Sequence, residues 1–278
     1  MGDNAGNSEQ SRRKFVAIVY MMTLVALLLG LGQWLAVVFV GSLGLAFMEY
    51  DFISGIFFSL SVILAIIFIF VEKARTMIAL NWILAILIME FAILGVFALC
   101  PRSGWPELLL WYLICLLVFF LAILVGSILP HDLTLDVVIL FVISFIFLIV
   151  SVFLIMLHLM SRTSHSIILY QIFVSVIILT FVMYHAQTIN GGRFAELRVN
   201  DYLLASIILF YDFIVLFLLT FYVQVRFPLI KRGRQTTEAP PTTVYFTTLA
   251  APEAAPAAPA AAPAAPAAAP AAEGFRFI

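Results

Sequence analysis

Charge is what this chain has least of: Asp, Glu, Lys and Arg make up 10% of its 278 residues, where a soluble domain carries about a quarter. With 14 basic and 15 acidic residues the net charge is −1, which leaves no case for a nucleic acid partner. Cysteine is almost as scarce. Cys100 closes the third apolar stretch and Cys115 lies within the fourth, at depths differing by roughly 10 Å at 1.5 Å per residue, so a disulfide is not expected. No lysine falls inside any apolar stretch, which excludes the Schiff-base lysine of a retinal protein. His131, His158, His165 and His185 are scattered, with no pair at metal-ligand spacing on one helix. There is no Ser, His and Asp set, no Gly-rich phosphate loop and no paired-carboxylate site, so neither an enzyme nor a cofactor is expected.

Apolar residues take the place of charge. They make up 65% of the chain, the mean hydropathy is +1.18, and several uninterrupted runs reach the roughly 20 residues that a helix needs to cross a bilayer. Seven spans are predicted, at Phe15 to Val40, Phe52 to Val71, Thr76 to Cys100, Leu108 to Leu129, Asp136 to Leu159, Ser166 to Asn190 and Tyr202 to Arg226. The runs do not alternate as the strands of a membrane barrel do. The short connections make sequence neighbours antiparallel, so the expectation is an all-α membrane protein, a seven-transmembrane-helix bundle facing membrane lipid. Residues 1–14 read as a cytosolic segment, 15–226 as the membrane domain and 227–278 as a basic stretch followed by a Thr/Ala/Pro-rich tail. Repeated proline predicts that this tail is disordered. The first run is far longer than the roughly 7–15 residue core of a signal peptide and reads as a retained helix.

Orientation follows from the basic residues of the short loops. A cytosolic N-terminus gathers Arg12, Arg13, Lys14, Lys73, Arg75, Arg193 and Arg198 on its side, against Arg102 and Arg162 on the other. A full seventh crossing then places Arg226, Lys231, Arg232 and Arg234 outside, against the rule. A re-entrant seventh segment would avoid this, and both topologies are compatible with the sequence.

Two acids lie inside the spans. Asp212 stands in Phe210-Tyr211-Asp212-Phe213 with no charge within ten residues on either side, and Glu90 sits in the middle of the third span. A charge there costs about 2.5–3.5 kcal/mol on insertion scales, which makes each a candidate for ion or proton handling. For both the alternative is a packing role. Gln33 and Gln171 read as hydrogen-bonding glue between helices.

The segment joining the last two spans runs Tyr184-His185-Ala186-Gln187-Thr188-Ile189-Asn190-Gly191-Gly192-Arg193, then Asn200-Asp201-Tyr202 and Tyr211-Asp212. It resembles the transmembrane Bax inhibitor motif family, most closely its Lifeguard branch. In that family an aspartate-threonine-glutamine triplet ends the sixth span shortly before a glycine and a basic residue, and an acidic pair with tyrosine opens a seventh span bearing an aspartate about ten residues after that tyrosine. Gln187, Gly191, Arg193, Asp201, Tyr202, Ala205 and Asp212 match without a gap. Arg12-Arg13-Lys14-Phe15, Asn81 and Asp132-Leu133-Thr134 are weaker echoes. The resemblance covers nearly the whole membrane region and excludes the tail. It implies a bundle of the Bax inhibitor type in the endoplasmic reticulum or Golgi rather than the plasma membrane, and a role in restraining cell death alongside other membrane proteins of apoptosis control. In some members it also implies a pH-gated calcium leak controlled by two facing aspartates.

Three positions depart from the family. His185 stands where the first aspartate would be, Ala186 replaces the threonine, and Ile208 replaces an asparagine four residues before Asp212. Helix arithmetic still lets His185 and Asp212 meet, at about 9 and 15 Å from their shared end at 1.5 Å per residue. A His and Asp pair presents at most one negative charge, and imidazole is a poor calcium ligand. The expectation is therefore an ion path or pH sensor built from Asp212, His185 and Glu90, with weakened or lost calcium leak. The alternative is a non-conducting scaffold or adaptor that restrains cell death through protein partners.

Overall fold

The computed structural model describes residues 2–161 and 164–226. The tail expected at 227–278 lies outside them, as does Arg162. Seven of the helices are long and apolar enough to cross a membrane, and no strand occurs among the described residues. A helix meets its own main-chain hydrogen bonds, which the lipid interior requires. In chain order the spans are α1 (Gly2–Phe39), α3 (Asp51–Phe70), α5 (Ile78–Gly95), α6 (Trp105–Ile128), α7 (Val137–Ser161), α8 (Ser164–Asn190) and α9 (Tyr202–Arg226). Two short helices, α2 (Gly41–Glu49) and α4 (Glu72–Thr76), follow the first and second spans, and a 3-10 turn at Cys100–Arg102 follows the third.

The breaks have local causes. Val71 is extended between α3 and α4 and Met77 between α4 and α5. Gly104 is extended before α6, whose first turn holds Pro106, a position where the missing N–H is harmless. The predicted spans are recovered with shifts at their ends, the third leaving its helix at Gly95 rather than Cys100. Helix α1 begins at Gly2 rather than Phe15, so the polar segment continues the span as helix. The seventh segment is one unbroken helix whose far end shares a cavity with Leu99 and Arg102, so it traverses the bundle and does not turn back.

The bundle is organised around its last helix. α9 packs against α1, α3, α5, α6 and α8, and 67% of its span is buried, against 11% for α7, which lies outside against α8. Lipid gives no hydrophobic drive between helices, so close approach and hydrogen bonds must hold them. At Gly126 an added Cβ would stand 2.7 Å from the Met183 main chain, so glycine is what lets α6 reach α8. The lower half of α9 stacks Phe213, Phe217 and Phe221 at helical spacing, with Trp34 against Phe217 at 4.9 Å between ring centroids. Each polar tip in this aromatic core has an acceptor: Trp34 Nε1 donates to the Ile93 carbonyl and the Tyr112 hydroxyl to that of Leu27. Gln33 and Gln171 bridge helices, to Glu90 and to the Thr220 carbonyl. Both cysteines are free and buried.

Candidate functional site

Helix α8 ends where Gly191 and Gly192 take φ of +76° and +72°, the left-handed conformation that glycine adopts without steric cost at a helix C-terminus. Gly191 N–H donates to the Gln187 carbonyl and Leu197 N–H to that of Thr188, so the connection folds back onto the helix end before α9 starts. This turn sets the depths of the two central residues. His185 lies just inside α8, Asp212 lies midway along α9, and Nδ1 of the imidazole meets Oδ2 of the carboxylate at 2.6 Å. Where the carboxylate is ionised it can only accept, and the imidazole Nδ1–H is then the donor.

The pair lies in a cavity of about 330 Å³ between α7, α8 and α9. Leu148, Val174, Ile178, Phe181 and Val215 are among its apolar walls. The side chains are 23% and 13% exposed, so the pair opens onto this groove and is not sealed in the core. The neighbouring titratable groups are Tyr184, whose ring lies 5.4 Å from the imidazole, and Tyr211, whose hydroxyl is hydrogen-bonded to Ser61 on α3. Chemically the arrangement can hold or release one proton inside apolar surroundings. It offers a single carboxylate, far from the six to eight oxygens that calcium takes.

Glu90 is not brought to this pair. It lies in a separate groove between α1 and α5, where Gln33 Nε2 donates to both carboxylate oxygens at 2.9 and 3.2 Å. Among the described residues no three His, Cys, Asp or Glu gather as a metal set.

The motif residues form a latch on the N-terminal face. Gln187 is buried, accepts from Leu133 N–H and donates to the His131 carbonyl, both at 2.8 Å, and so ties the α6–α7 loop to α8. Arg193 donates to the last carbonyls around α6, at Leu129 and Pro130, where a cation also suits the helix dipole. Asp132 accepts from Thr134 and from Phe194 N–H. The Thr134 hydroxyl, those N–H groups and nearby Arg193 hold the Asp132 carboxyl below its ordinary range. Asp201, just before α9, pairs with Arg75 at 3.6 Å, and the Tyr202 ring lies 6.3 Å from that of Trp82. Arg12 reaches Glu196 at 2.9 Å and the Leu197 carbonyl at 2.7 Å.

Gln187 has a role that sequence reasoning left unassigned. Its partners are main-chain groups 54 and 56 residues away, and nothing in the spacing announces them. No family model, curated protein or solved structure matches the chain.

Proposed function

We propose that this protein is a Lifeguard-like, multi-pass membrane regulator of apoptosis and intracellular calcium, in which His185 and Asp212 form a proton-responsive closure between the sixth and seventh spans. The observation that carries the reading is the 2.6 Å contact of these two side chains inside an apolar groove. With the imidazole protonated, the pair is net neutral and draws α8 to α9. Losing that proton leaves one uncompensated negative charge among hydrocarbon walls, which is costly and is relieved by water entering as the helices part. Rising pH is therefore the opening signal. The charge so exposed is one unit, and any calcium leak is weaker than that of a two-aspartate relative. The basic N-terminal face is the cytosolic one, and the endoplasmic reticulum or Golgi is the proposed residence.

The apolar wall also favours a second reading, a non-conducting regulator that restrains cell death by binding other membrane proteins. Calcium flux into liposomes holding the purified chain, measured across pH, separates the two. Flux that rises with pH and vanishes in Asp212→Asn supports the leak. A silent native chain that gains flux in His185→Asp supports the second reading, and flux unaffected by either substitution sinks the role given to the pair.

A further inference from the structure

The two intramembrane acids differ in one respect: Asp212 has a base of its own, His185, and Glu90 has none. Gln33 orients the Glu90 carboxylate by donating to both oxygens, but an amide is neutral and cannot balance the charge. No Lys, Arg or His pairs with Glu90 among the described residues. A carboxylate has about four lone-pair sites, so two remain after Gln33 is satisfied.

Beside that carboxylate runs a groove of about 500 Å³, lined by Met22, Val25, Ala26, Trp82 and Met89 among others, a size within the usual range for small-molecule sites. Met21, Val25 and Trp82 are exposed at its rim, so it opens sideways onto whatever surrounds the bundle, which for a span is lipid. Along α5, Trp82 lies about 6 Å and Glu90 about 18 Å from the helix start at 1.5 Å per residue. The groove thus leads from near the N-terminal face to a lone acid at mid-depth.

We infer that this groove binds a membrane-dissolved lipophilic amine, a single-chain amphiphile whose basic nitrogen pairs with Glu90 and whose hydrocarbon lies along α1 and α5. An amine enters the bilayer as its free base. Once protonated, it forms with the Glu90 carboxylate a net-neutral pair, which the neutral Gln33 amide cannot supply. A fatty acid would add a second acid, an alcohol would leave the charge unbalanced, and a hard cation would lack oxygen ligands. The adaptable methionines suit a flexible chain. This inference goes beyond the calcium reading and does not depend on it.

The test is equilibrium binding of a radiolabelled long-chain primary amine to the full chain in nanodiscs, beside the alcohol and carboxylic acid of equal length. The native chain should bind the amine saturably, and Glu90→Gln, which keeps a hydrogen-bonding partner for Gln33, should weaken it about tenfold or more. Val25→Trp, which fills the rim and leaves Glu90 intact, should weaken it as well. The alcohol should bind the native chain and Glu90→Gln alike. Amine binding that survives both substitutions, or alcohol binding as tight as that of the amine, overturns the inference.

Discussion

The loops at the two ends of the bundle are held by different balances of the same contacts. At the N-terminal end, buried or half-buried side chains grip main-chain groups of other segments: Gln187 on the α6–α7 loop, Arg193 on the end of α6, Arg12 on Leu197. The opposite end has such grips as well, Gln171 on the Thr220 carbonyl and Ser54 accepting from Ala98 N–H, but its loop ion pair Asp51–Arg102 lies in the open, its side chains 59% and 37% exposed. A clamp onto a main-chain group fixes position, because the partner cannot swing away. An exposed ion pair adds charge balance and little geometry. The end richer in clamps is also the end from which the depths of His185 and Asp212 are measured, so the latch acts as the reference for the central pair.

The sharpest way to break this contrast is Gln187→Leu. It strands a buried N–H and a carbonyl at about 1–3 kcal/mol each, and the expected loss is about 2–4 kcal/mol in reversible unfolding of the chain in mixed micelles. Asp132→Asn should cost less, since one acceptor for Thr134 or Phe194 is lost while its neighbours remain. The same carboxyl predicts an acid response. Its folded value lies below the ordinary 3.8, so its stabilisation is complete above that value and is lost as pH falls through the lowered one. Unfolding midpoints measured down into that acid range should fall in the native chain and lose this component in Asp132→Asn. Smallest of all is Arg102→Gln at the opposite end, expected to change stability by about 0–1 kcal/mol and to show no difference in high salt, where such pairs are screened. A large effect there would erase the distinction between the ends.

The seven spans were legible because a long apolar run has few alternatives, and the meeting of His185 with Asp212 was legible because helical rise converts sequence distance into depth. Azimuth was not. Whether Glu90 faced Asp212 depends on which side of α5 meets α9, and a chain apolar on all faces does not reveal that. The short helices α2 and α4 were missed for a related reason. Neither has a side-chain cap, and α2 is held by contacts with distant residues, Phe47 against Phe97 at 5.0 Å and Gly44 against Pro101. The clamps of Gln187 and Arg193 bond main-chain atoms, which are the same at every residue and leave no mark in the sequence.

The central place of α9 has a consequence for biogenesis. Translation releases the other six spans before the helix on which five of them rest. Until it emerges, α1, α5 and α8 lack the face they finally bury, and the furrow left for α9 must hold lipid or a chaperone of the insertion machinery. Asp212 is thus delivered late, into a slot where His185 is already waiting, and the arrival of one helix both completes the bundle and supplies the acid with its partner.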